Sequence, residues 1–126
     1  MRSLSDPIVS THLFFIFNVL LYLYSGFFFL GLVLFVCTLA SFMYHWSAET
    51  NKKWKIADRL LCIVSLIFIF GYLKFYSSSF EIIACLIWLA FSLWVYSQSR
   101  IDYQFFHTLW HTCVFLGNVL VWICLI

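Results

Sequence analysis

PIVSTHLFFIFNVLLYLYSGFFFLGLVLFVCTLASFMYHW, residues 7–46, runs for forty positions without an Asp, Glu, Lys or Arg. A bilayer core about 30 Å thick takes roughly 20 helical residues to cross, so the stretch is long enough for two crossings joined by a very short turn. Ser25-Gly26 is the natural break, because glycine costs about 1 kcal/mol in a helix interior and readily takes turn conformations. Spans near 7–25 and 27–46 follow from that break. Downstream, polar stretches at 47–53, 74–79 and 98–102 separate three further apolar segments near 54–73, 80–97 and 103–126. The expected architecture is all-α: a polytopic transmembrane helical bundle of about five spans, with residues 1–126 as a single transmembrane domain.

Composition agrees. The chain is 65% hydrophobic and 10% charged, with a mean hydropathy of +1.03, whereas an ordinary soluble domain is roughly 25% charged. No soluble core could absorb so much apolar surface, and the solvent for most side chains must be the lipid bilayer. A formal net charge of +2 and the lack of a Lys/Arg-rich run argue against a nucleic-acid partner. Cys37, Cys62, Cys85, Cys113 and Cys124 are dispersed through apolar stretches, where a thiol behaves as a small hydrophobe. They make no disulfide framework and show no paired metal-binding spacing. The first hydrophobic segment lacks an A-x-A-like cleavage site and reads as a retained span.

Five crossings place the N-terminus, the 47–53 loop and the 98–102 loop on one side of the membrane. Arg2, Lys52, Lys53, Lys55, Arg59 and Arg100 lie on that side and only Lys74 lies opposite, so the positive-inside rule makes it cytoplasmic.

Ionisable and polar side chains inside such a bundle are costly and are candidate functional residues by default. Ser41 and His45 lie near the end of the second span, Asp58 near the start of the third, and His107 and His111 in the first turns of the fifth. Counted at about 1.5 Å per residue from the cytoplasmic ends, all fall in one layer. Residues four apart share a helix face, so Ser41 faces with His45, and His107 with His111. An i,i+4 His pair with a third His from another helix makes a three-nitrogen metal site with one open position. Asp58 is the acid placed to hydrogen-bond a water there, because Glu49 and Asp102 fall in loops. His12 is near the same side, as an optional addition. Taken alone, the His pair could equally bind a neighbouring helix, line a channel or ligate haem.

The order S-x-x-x-H, D, H-x-x-x-H resembles the CREST superfamily of membrane hydrolases, which includes progestin and adipoQ receptors, haemolysin III-like proteins, alkaline ceramidases and myomaker-like proteins. The blocks here are Ala40-Ser41-Phe42-Met43-Tyr44-His45, Ile56-Ala57-Asp58-Arg59-Leu60 and Phe106-His107-Thr108-Leu109-Trp110-His111. The resemblance implies a Zn²⁺ ion held by His45, His107 and His111, a water oriented by Asp58, and Ser41 as a supporting hydrogen-bond donor. It implies as substrate a membrane lipid with an amide or ester bond, as in ceramidases. The chain is a shortened form, with room for about five helices where the family has seven, and a homo-oligomer is one way to close that gap. Other members are receptors or fusion factors, so a non-catalytic receptor, fusion or accessory protein with a structural zinc is the alternative, and a b-type haem protein using two facing histidines is a third.

Overall fold

The computed structural model describes residues 1–3 and 5–126. Among them there is no strand: the elements are α1 (Pro7–Ser10), α2 (His12–Tyr24), α3 (Phe28–Trp46), α4 (Lys52–Tyr76), α5 (Ser79–Ser97), a 3₁₀ turn (Gln98–Arg100) and α6 (Tyr103–Leu125). The fold is all-α, and five helical segments are long and apolar enough to cross a membrane: Pro7–Tyr24, Phe28–Trp46, Lys52–Tyr76, Ser79–Arg100 and Tyr103–Leu125. This is the make-up of a multi-pass membrane protein. The chain divides into two compact units, Met1–Ile69 and Phe70–Ile126, whose boundary falls within α4.

The first unit begins with Asp6, whose carboxylate accepts from the Ile8 N–H at 2.9 Å and caps α1, with Pro7 in the first turn where a missing N–H costs nothing. α2 ends at the expected place. Ser25 is its C-cap and Gly26 takes φ 84°, a conformation that glycine reaches without a Cβ penalty. The N–H groups of Ser25, Gly26 and Phe27 then return to the carbonyls of Leu21, Leu23 and Tyr22, so no backbone donor of this turn is left bare. The reversal lays α3 back on α2 around the buried Val19, Tyr22, Leu30 and Leu34. Leu13, Phe14, Phe17, Leu32 and Leu39 are exposed, as side chains in contact with lipid would be.

α4 is longer than the 54–73 span read from hydropathy. It starts at Lys52 and continues to Tyr76, leaving Ser77 and Ser78 as the connection to α5. Long basic stems and an aromatic ring can lie along an apolar surface while their polar ends stay wet, so charge at a span end does not stop a helix. Ser78 does, because it caps α5: its hydroxyl accepts from the Glu81 N–H, and the Glu81 carboxylate accepts from the Ser78 N–H at 2.6 Å. That reciprocal pair is a capping box.

In the second unit α5 packs on α6. The Trp88 Nε1–H donates to the Cys113 carbonyl at 2.8 Å, and Gly117 makes room for the indole, since a Cβ there would lie 2.8 Å from Trp88 Cδ1. Ser77 Oγ donates to the Cys124 carbonyl at 2.8 Å. Gly117→Val is expected to push the ring off its acceptor and destabilise the second unit by about 1–3 kcal/mol. The check is thermal unfolding in detergent, in which Gly117→Val should melt clearly below wild type; an unchanged midpoint would refute the close approach.

Candidate metal centre

Four polar side chains gather in the first unit, and three of them are the Ser41, His45 and Asp58 that the sequence singles out. His12 is the fourth. α1 breaks at Thr11, whose hydroxyl turns back to the Ile8 carbonyl at 2.7 Å, and α2 restarts with His12 in its first turn. His12 is buried, and its Nδ1 lies 2.9 Å from the Ile8 carbonyl and 3.3 Å from that of Val9. A carbonyl only accepts, so Nδ1 carries the hydrogen, and in the neutral ring the lone pair sits on Nε2. Nε2 lies 3.0 Å from Ser41 Oγ, which donates to it. The His12 and His45 rings are neighbours, with centroids 5.3 Å apart.

Ser41 Oγ also lies within hydrogen-bonding reach of the Asp58 carboxyl, on which His45 acts electrostatically. One hydroxyl has one hydrogen. With His12 neutral and Asp58 ionised, two acceptors therefore compete for the Ser41 proton, and a cation on His12 Nε2 would release it to the carboxylate. Cys62 Sγ, one helical turn beyond Asp58, is 4.0 Å from Asp58 Oδ1 and 3.6 Å from Cys37 Sγ. Both thiols are free cysteines.

His45 is the most enclosed of the group, with 1% of its surface exposed at the very end of α3. Its Nδ1 is 3.0 Å from Glu49 Oε1. The carboxylate accepts, so this ring too carries its hydrogen on Nδ1 and its lone pair on Nε2 when neutral. Glu49 falls in the loop after α3, four residues beyond His45. Helical spacing gives no signal for this contact, because the chain has left the helix after Trp46 and Glu49 is left-handed.

The second unit holds His107 and His111 on one face of α6, as the spacing requires. Both are buried, with ring centroids 5.0 Å apart. Asp102 caps this helix by accepting from the Phe105 N–H at 3.0 Å, which fixes where its first turns begin. His107 is packed by aromatic rings: it stacks on Tyr103 at 4.7 Å and meets Tyr96 and Trp110 at 5.9 and 5.4 Å.

His12 and His45, buried side by side in the first unit, are two imidazoles that could serve a metal ion. Imidazoles are borderline ligands suited to zinc, copper, iron and nickel, and a donor set of three neutral nitrogens fits a tetrahedral ion that keeps one position for water or substrate. The two histidines of the first unit also have their Nδ1 hydrogens committed to protein acceptors, the outer hydrogen bonding that fixes a ligating ring.

These features define a class, a multi-pass α-helical membrane protein with buried histidines beside a serine and a carboxylate. No family model, no curated protein and no solved structure matches the chain.

Proposed function

We propose that this chain is a zinc-dependent hydrolase of an amide or ester bond in a membrane lipid, with His45, His107 and His111 as the zinc ligands that the motif order implies and His12 beside His45 as a further nitrogen donor. The observation that carries the proposal is the group formed by His12, Ser41, His45 and Asp58: two imidazoles with lone pairs on Nε2, a hydroxyl and a carboxylate, gathered in the first unit. The order of these residues resembles the CREST hydrolases, in which the third imidazole would be His107.

When bound, zinc supplies a Lewis acid that polarises the scissile carbonyl and makes water nucleophilic near neutral pH. The residues of the chain do the rest. Asp58 orients the attacking water and takes its proton as general base, then returns that proton to the departing amine or alcohol. The Ser41 hydroxyl, released from His12, donates to the carboxylate or to the substrate carbonyl. Substrate enters laterally from the bilayer. The basic loops around 47–53 and 98–102 face the cytoplasm in this reading, and the same side holds the site.

The test is hydrolysis of a panel of ceramides, lysolipids and acylglycerols by purified protein, with and without a zinc chelator. Chelator-sensitive release of fatty acid supports the proposal. A zinc-loaded protein that turns over no lipid in the panel would leave a structural zinc in a receptor or accessory protein, and a Soret band in place of zinc would make it a haem protein. Sidedness has its own check. Single cysteines placed at Ala48 and Ser99 in a cysteine-free background are expected to be labelled from the same, cytoplasmic, side; labelling from opposite sides would end the single-layer argument.

A further inference from the structure

Between α3 and α4 the backbone does something the sequence does not ask for. α3 stops at Trp46, and after the Ser47 cap two consecutive non-glycine residues, Ala48 at φ 53° and Glu49 at φ 63°, sit in the left-handed region. L residues adopt it at a cost of order 1 kcal/mol or more each, and helix ends that need it commonly use glycine or asparagine. The Ala48 N–H to His45 carbonyl bond at 3.0 Å and the Glu49 N–H to Tyr44 carbonyl bond at 3.1 Å hold the fold-back in place. Its outcome is to return the Glu49 side chain over the end of the helix it has just left.

The carboxylate lands between two partners. Glu49 Oε1 accepts from His45 Nδ1 at 3.0 Å and from Arg2 Nη2, also at 3.0 Å. Arg2 is tied down twice more: its backbone N–H donates to the Trp46 carbonyl at 3.0 Å, and its Nη1 lies 3.6 Å from Asp6 Oδ1. The side chains of Glu49 and Arg2 are 18% and 21% exposed, against 2% for His45, so the chain of contacts runs from a half-wet surface to a dry ring. An ordinary helix-terminal ion pair would need neither strained residue nor a buried imidazole.

We propose that Glu49, held by Arg2, is the positioning residue for His45: it keeps the hydrogen on Nδ1 and the ring in one orientation, so that Nε2 is the nitrogen offered to a metal. This rests on the zinc reading above. Outer carboxylates of this kind raise the basicity of a ligating histidine, and their loss costs typically 10–100-fold in metal affinity. Arg2 prevents the carboxylate from swinging to solvent.

Two measurements on the full-length purified protein separate this role from simple support. Zinc affinity, read by competition with a chromogenic chelator, is expected to fall about 10–100-fold in Glu49→Ala. Glu49→Gln should fall less, because its amide oxygen still accepts from Nδ1, and Arg2→Ala should fall in between. The second readout needs no metal. In ¹⁵N-histidine spectra of the chelator-stripped protein, His45 should show a protonated Nδ1 in wild type and Glu49→Gln, and a mixture of tautomers in Glu49→Ala. If wild type binds no zinc but His45 changes tautomer in Glu49→Ala, the hydrolase reading fails while Glu49 keeps its role. Unchanged zinc affinity together with an unchanged His45 tautomer in Glu49→Ala, in a variant that melts like wild type, would overturn the inference.

Discussion

Asp58→Asn is expected to keep its zinc and lose about 10²–10⁴-fold of lipid hydrolysis, the range that a positioned general base contributes. The substitution removes a proton acceptor without removing volume, and the amide oxygen can still accept from Ser41 and Cys62, so the local packing of the first unit survives. In the proposed site three imidazoles hold the ion, so Asp58 is not needed for that. Ser41→Ala should show a smaller loss, since its hydroxyl assists and does not take the proton. Metal content by plasma emission spectroscopy and turnover of the best lipid substrate, measured on the same preparation, decide the matter. Should Asp58→Asn come out as free of zinc as a histidine variant, Asp58 would be a ligand or its essential support, and the division of roles would be wrong.

The second large effect is on the metal itself. Purified wild type is expected to hold close to one zinc per chain, and His45→Ala or His111→Ala to hold almost none. A metal bound only by the folded state adds its binding free energy to folding, about 4 kcal/mol when free zinc exceeds its dissociation constant a thousandfold. Chelation of wild type should therefore lower the melting temperature toward that of His45→Ala, and added zinc should not rescue the variant. His12→Ala and His107→Ala discriminate the third ligand: the set that the motif order implies requires the larger loss in His107→Ala. A full zinc complement in His107→Ala with loss in His12→Ala would instead put His12 in the ligand set.

Much of the fold was legible because it rests on local properties. In lipid every backbone N–H and C=O must be satisfied within its own segment, which leaves helices as the solution for long apolar runs, and the runs can be counted in the sequence. The Ser25-Gly26 break was legible for the same kind of reason, since Gly26 takes a conformation its neighbours could adopt only under strain. The pairings Ser41/His45 and His107/His111 followed from helical pitch alone. Rotation of each helix about its own axis did not. These spans are apolar on nearly every face, so no stripe marks which side turns toward a neighbour, and the approach of His12 Nε2 to Ser41 and of Cys37 to Cys62 had to come from packing. Glu49 was hidden for another reason. Its contact with His45 depends on two left-handed residues at Ala48 and Glu49, a backbone path that local preference disfavours and that is held here by the tertiary bonds of Arg2 to Trp46 and to Glu49 itself. The sequence by itself determined which segments are helices and which side chains share a face, because both depend on residues a few positions apart; the tertiary structure decided which of those faces meet and which strained turn is kept, because both depend on contacts between residues far apart in the chain.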